Sequence, residues 1–166
     1  MAEEESFTIK YVKDASKAIQ KKKGSNTIDN LKYLRNAFAE SSQYVDAFME
    51  VENSLYSLIG YLTGNNALLQ LEAICCLTNI SASGSKNIPT IAKGTSAYLI
   101  TFLRSGSVII QDQSAWALAN MAADSEKMRE LLKAQGVVEP LVDLIEVNNF
   151  CYVQHFTYCF YASSET

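Results

Sequence analysis

Residues that carry chemistry are scarce in this sequence. It has one histidine, His155 in the C-terminal tail, so no His-rich metal cluster can be assembled from it and no second imidazole is on hand for acid–base chemistry. Glycine and proline number only seven and two in 166 residues. That excludes collagen-like repeats and Pro/Gly-rich disorder, and it leaves no glycine-rich loop of the kind that cradles phosphate. No Ser, Cys or Lys stands beside a base in a recognisable catalytic order, and the sequence reads as a non-enzyme without a cofactor. Four cysteines, two of them adjacent at Cys75 and Cys76, do not make a disulfide framework in a chain of this length. With no apolar leader after MAEEESFTIK, the expected setting is reducing and intracellular. Glu72, Lys93, Arg104, Asp112 and their neighbours interrupt every apolar run, so none reaches the roughly 18 residues that a membrane span needs.

What is present is the composition of a folded domain, with 48% apolar and 19% charged residues, at a length that favours a single unit. The formal charge is −4, from 14 Lys plus Arg against 18 Asp plus Glu, which argues against a phosphate-backbone binder and hence against nucleic acid as partner. The charges are unevenly placed. Residues 1–26 hold six lysines against four acids, whereas residues 41–145 hold six bases against ten acids.

Internal repetition decides the expected fold. Sliding residues 55–80 by 41 places lays them on 96–121, with Leu58/Leu99, Ile59/Ile100, Leu62/Leu103, Gln70/Gln111, Leu77/Leu118 and Asn79/Asn120 identical. GVVEPLVDLI continues the series, and DNLKYLRN precedes it with Leu34 and Asn36 in the register of Leu77 and Asn79. The apolar spacing inside each period is helical, as in Leu55, Leu58, Ile59 and Leu62. Breaks fall at Gly64-Asn65-Asn66 and Ser105-Gly106-Ser107, and Gly84, Gly94 and Gly136 punctuate the joins. The expectation is a unit of short, medium and long helix, in its clearest copy near Ile88–Lys93, Ser96–Arg104 and Val108–Ala122, with Pro89 in the first turn. Such units cannot bury their apolar faces alone and stack into a superhelix. A closed bundle with accidental repetition is the alternative.

The segments LQLEAICCLTNIS and QDQSAWALANMAAD resemble armadillo repeats, and among armadillo proteins they resemble importin-alpha most, over about residues 27–145. The resemblance implies an all-α, right-handed armadillo solenoid, here two complete three-helix repeats with a partial repeat at each end. It implies that the long helices line a concave groove, with a Trp and, four residues on, an Asn facing it. Trp116 and Asn120 match this pair, Asn79 matches the Asn of the preceding repeat, and Asp124 matches an acidic position beyond the helix. Residues at i and i+4 share a helix face, so a flat ring and an amide able to donate and accept lie side by side. Such a face suits an extended basic peptide such as a nuclear localisation signal, with acids on the rim. Asp124 alternatively caps the helix expected from Ser125. The implied role is an adaptor for nuclear import, in cytoplasm and nucleus, with basic cargo segments as partners. The chain departs from the pattern at Cys75 and Lys32, which stand where the shelves of the two earlier repeats would carry Trp. A lysine in the groove repels a basic peptide, and the departures fit a divergent relative. The segment SLIGYLTGNNALLQLEAICCL also looks like the armadillo region of the transmembrane and coiled-coil domain-containing proteins.

The expected organisation is a charged N-terminal arm over residues 1–26, armadillo repeats over 27–146 and an aromatic-rich tail over 147–166. In importin-alpha an arginine-rich arm binds the carrier importin-beta; here the cations are lysines, ending in Lys21-Lys22-Lys23, and a solvated helix with a charged tip is the plainer reading. Cys151, His155 and Cys159 fall at i, i+4 and i+8, but three ligands without a second cluster do not make a zinc site. The tail does not continue the repeat phase, which suggests a truncated product with an imperfectly covered end. Two further readings stand beside the import adaptor: an armadillo scaffold for protein–protein interaction without a transport role, and a fragment too short to function.

Overall fold

A computed structural model describes residues 7–21 and 26–147, with side chains to residue 144. Among the described residues there are nine helices and no strand. They are α1 (Ile9–Ala18), α2 (Thr27–Glu40), α3 (Ser42–Met49), α4 (Ser54–Leu62), α5 (Ala67–Ala82), α6 (Ile88–Phe102), α7 (Val108–Asp124), α8 (Glu126–Ala134) and α9 (Val138–Val147). The unit-ending helices α2, α5 and α7, here the long helices, pack side by side in chain order, and α1, α3, α4, α6 and α8 pack against them. α3–α5 and α6–α7 are the two complete units, α1–α2 ends the unit before them and α8–α9 begins the next. This is the stacked solenoid that the 41-residue self-similarity predicts.

The same positions recur in the core because the same phase of each long helix is covered. Leu31, Leu34 and Ala37 of α2, Ala73, Ile74, Leu77 and Ile80 of α5, and Ala115, Leu118 and Ala119 of α7 have no exposed surface. Burying each such Leu or Ile contributes about 1.5–3 kcal/mol, which is where the stacking energy lies. The repeated glutamines are also used alike, since Gln70 Nε2 donates to the Leu62 carbonyl at 2.8 Å and Gln111 Nε2 to the Ser105 carbonyl at 2.7 Å. The Leu62 carbonyl is one that the end of α4 leaves orphaned, and the Ser105 carbonyl belongs to the loop between α6 and α7. Asn66 caps α5 by accepting from the Leu68 and Leu69 amides. Between units, Asp46 of α3 accepts from Ser85 Oγ at 2.7 Å and from Asn87 Nδ2 at 2.8 Å, tying α3 to the start of α6.

Two boundaries differ from the sequence expectation. The short and medium helices expected at Ile88–Lys93 and Ser96–Arg104 are one continuous helix, α6, so Gly94 does not mark a join. At Gly94 α6 faces α4, and a Cβ there would lie 3.4 Å from Ile59 Cδ1 and 3.9 Å from Leu55 Cδ2, ordinary van der Waals contact, so neither a turn nor a close approach requires the glycine. The polar residues beside it are satisfied inside the helix. Thr95 Oγ1 donates to the Ile91 carbonyl at 2.8 Å, and Ser96 Oγ lies 2.6 Å from both the Ala92 carbonyl and Gln135 Oε1. Gly84 and Gly136 do sit at joins, with φ of 70° and 82°, a region that side chains rarely enter. The second difference is the start of the packed body, which precedes residue 27. α1 lies against α2 and α3 with Val12 and the following Ile19 fully buried, and the Tyr61 hydroxyl donates to the Ile19 carbonyl. Its lysines look outward because its other face carries the apolar residues of the preceding unit. Lys22, Lys23 and the tail with Cys151, His155 and Cys159 lie outside the described residues.

If α6 is uninterrupted, Gly94→Ala exchanges a poor helix former for the best one at a position where its methyl group meets ordinary van der Waals contact. Urea unfolding should show a gain of up to about 1 kcal/mol. A glycine serving as a break between two helices would give a loss instead.

Candidate functional site

The inner face of the solenoid is the side of α5 and α7 that neither neighbouring long helices nor the covering helices occupy. With 3.6 residues per turn, Cys75 and Asn79 share that stripe on α5, and Asp112, Trp116 and Asn120 share it on α7. Lys32 and Asn36 hold the corresponding phase of α2. Cys75, Asn79, Asp112, Trp116 and Asn120 are half-buried, while Lys32 and Asn36 are exposed.

The two asparagines make equivalent bonds. Asn79 Nδ2 donates to the Arg35 carbonyl of α2 at 2.8 Å, and Asn120 Nδ2 donates to the Thr78 carbonyl of α5 at 3.3 Å. In each case the acceptor is the residue just before the asparagine position of the preceding long helix. Asn79 and Asn120 therefore stand on one side as successive rungs, and each uses one amide hydrogen to hold the stack. Its second amide hydrogen and Oδ1 take no part in that bond. Asn36 begins the row: its Oδ1 accepts from Arg35 Nε at 3.3 Å.

A second pair of equivalent links lies two turns N-terminal to the asparagines. Glu72 of α5 meets Arg35 of α2 in an ion pair of 2.7 Å, with the Glu72 side chain 8% exposed. On α7 the same register is Gln113, whose backbone carbonyl accepts from Thr78 Oγ1 at 3.3 Å and whose Oε1 lies 3.7 Å from Cys75 Sγ. The position expected to carry a second indole is thus filled by a small thiol, with Gln113 reaching back to it. Burial pushes the Cys75 thiol above its ordinary range, and the Glu72 carboxylate adds to the shift against the opposing Arg35 cation. Cys76, fully buried beside it, is raised further, chiefly by burial. Both are thiols rather than thiolates near neutral pH, so no activated nucleophile is present there.

Asp112 was not among the residues that the sequence pattern singled out. It stands one turn before Trp116, a spacing visible in the sequence. Burial raises its carboxyl above the ordinary carboxylate range, and among the described residues it has no ion-pair or hydrogen-bond partner. Asp124 is the last residue of α7 and is exposed. It does not cap α8: that position belongs to Ser125, whose Oγ accepts from the Met128 amide at 3.3 Å. At the N-terminal end of the groove, α1 and α2 enclose a recess of about 640 Å³ whose lining includes Asp14, Asp29, Lys32, Tyr33 and Asn36. Lys32 therefore shares its surroundings with two carboxylates. No group of three or more metal-ligating side chains occurs among the described residues.

No protein-family model matches the chain. It is 39% identical over 75 residues to importin subunit alpha-1b of Oryza sativa subsp. japonica, which covers 45% of this chain and 14% of that protein. It is 37% identical over 75 residues, with the same coverage, to importin subunit alpha-2 of Arabidopsis thaliana. Vacuolar protein 8 of Candida albicans is 33% identical over 113 residues, 68% of this chain and 19% of that protein. The chain thus spans about one seventh of the length of the importin subunits it matches. Among solved structures, a designed armadillo repeat protein in complex with the peptide (KR)4 superposes with a TM-score of 0.79 at 17% identity, covering 90% of this chain and 62% of that one. A computationally designed armadillo repeat protein for modular peptide recognition gives 0.79 at 19% identity, covering 90% and 64%. These likenesses establish the armadillo fold.

The Arg35–Glu72 pair is the most damaging element of the groove wall to break from one side, because either partner alone is left as a buried or half-buried charge. Arg35→Met should lower the unfolding free energy by about 3 kcal/mol, read from denaturant titration. Arg35→Met combined with Glu72→Gln should recover most of that loss, since the stranded carboxylate is then removed as well.

Proposed function

We propose that this chain, an armadillo-repeat protein similar to importin-alpha, is a non-catalytic binding module that holds an extended basic peptide on its inner face. The observation that carries this reading is the row Asp112, Trp116 and Asn120 on α7, in register with Asn79 on α5. Trp116 supplies a flat wall for the aliphatic stem and cation of a Lys or Arg, an interaction of about 0.5–2 kcal/mol. Asn79 and Asn120 supply amide groups to the peptide backbone, and Asp112 with Asp124 supplies negative charge along the same helix. The designed armadillo protein with bound (KR)4 supports a cationic ligand for this architecture.

The same reading makes the chain an import adaptor acting in cytoplasm and nucleus, supported by its identity to plant importin-alpha subunits over 75 residues. Contact with a carrier of the importin-beta type would fall to the outward lysines of the N-terminal segment, Lys10, Lys17 and Lys21, which are exposed on the far side of the buried Val12. A second reading, an armadillo scaffold without a transport role, is favoured by two observations: Cys75 and Lys32 occupy the earlier shelf positions, and a vacuolar protein matches over 113 residues, further than the two importin subunits do.

Titration with a fluorescent Lys/Arg-rich peptide separates the two. For the adaptor, affinity should fall several-fold between about 50 and 300 mM salt as the charges are screened, and Asn120→Ala should weaken binding by about 5–10-fold while the folded population stays above about 95% by circular dichroism, an interaction of about 1 kcal/mol. Salt-insensitive binding, or none, leaves the scaffold.

A further inference from the structure

The inner stripes of α5 and α7 each begin with an exposed apolar residue. Leu68 stands seven residues before Cys75 on α5, and Ile109 stands seven before Trp116 on α7. Seven residues make almost two turns, which places both side chains on the stripe that carries Asn79 and Asn120. Leu68 is 56% exposed and Ile109 61% exposed, and Val108 beside Ile109 is 55% exposed. Lone exposed apolar residues need no explanation. Here, however, the exposure recurs 41 residues apart, at one phase, on the two helices that pack most extensively against each other, so the pair forms a short apolar row across one margin of the groove.

The charges of the groove are as unequal as its apolar surface. Glu72 is already neutralised by Arg35 at 2.7 Å, and Asp124 lies at the far end of α7, beyond Asn120. Asp112, one turn from Ile109 and one turn from Trp116, is the half-buried carboxylate on the stripe without a partner among the described residues. On α2 the exposed Lys32 shares its recess with Asp14 and Asp29, and on α5 Cys75 offers no ring.

We infer that the groove is specific for an extended peptide with a single Lys or Arg beside apolar residues, its cation set between the Trp116 ring and the Asp112 carboxylate and its apolar side chains laid over Ile109 and Leu68. This rests on the peptide-binding reading of the groove and narrows it from a run of basic residues to one cation with hydrophobic neighbours. In an extended chain, side chains two residues apart project to one face about 6.6 Å apart, and adjacent packed helices lie about 8–10 Å apart. Two long apolar side chains so spaced reach both rungs of the row. Asp112 supplies the charge complementarity that selects a cation, and Cys75, in place of a ring on α5, offers no shelf for a second one.

Trp116 is the protein's only tryptophan, so its emission reports occupancy of this face directly. Three peptides of equal length serve as probes at about 150 mM salt: alternating Lys and Arg; one Lys with two Leu spaced two apart in a Ser/Gly background; and the same peptide with both Leu replaced by Ser. The Leu-containing peptide should bind at least fivefold more tightly than either of the others. Leu68→Ser with Ile109→Ser should abolish its advantage over the Leu-less peptide without shifting the melting temperature, because both positions are exposed. Asp112→Asn should weaken both single-Lys peptides several-fold. Equal affinity for the second and third peptides, tighter binding of the all-basic peptide, or an advantage that survives the double substitution overturns the inference while the groove still binds peptide. No change in Trp116 emission with any probe overturns the peptide-binding reading along with it.

Discussion

The asparagine bond from each long helix to the one before it is the interaction on which the molecule depends. Asn79 reaches the Arg35 carbonyl and Asn120 the Thr78 carbonyl, in positions where a helix interior normally has no carbonyl to spare. Each bond is modest alone. Its importance is geometric, because it sets the register in which Leu34, Leu77 and Leu118 fall into one continuous core. A slide of α5 along α2 would strand a half-buried amide and the Glu72 carboxylate together. The stack is thus held by apolar area and indexed by polar groups.

This indexing also shapes the groove. Because one hydrogen of each amide is held by the neighbouring helix, the orientation of both asparagines on the inner face is fixed by the stack itself. The shelves between them are less regular. Where Cys75 replaces the ring, Gln113 reaches back and the wall closes up, so the inner face is not a uniform ladder. It has one aromatic step, one lone carboxylate and an apolar margin, and its N-terminal end opens into a polar recess bounded by α1 and α2.

Much of the fold was legible because repetition multiplies a weak signal. A single apolar stripe such as Leu55, Leu58, Ile59 and Leu62 establishes one helix, whereas its recurrence with Gln70/Gln111 and Asn79/Asn120 establishes a stack. Gly64-Asn65-Asn66 and Ser105-Gly106-Ser107 fall between helices as their turn-forming residues predict. Gly94 does not: it sits inside α6, at ordinary contact distance from Ile59 of α4, and sequence holds no record of which neighbour a residue will meet. The same limit applies to α1: its lysines advertise a solvated arm, while Val12, Ala15 and Ile19 commit the opposite face to the core.

By itself the sequence determined the period, the helical phase and hence which residues share a stripe, since these follow from spacing along one helix. The resemblance to importin-alpha singles out Trp116 and Asn120, their spacing places them on one face, and Asp112 was open to the same spacing argument. Only the packed structure decided what lies across from each stripe: that Arg35 neutralises Glu72, that Gln113 answers Cys75, that Ser125 and not Asp124 caps α8, and that Leu68 and Ile109 remain uncovered. The first two are contacts between residues about forty positions apart, and they depend on the relative placement of whole helices, which no local spacing encodes.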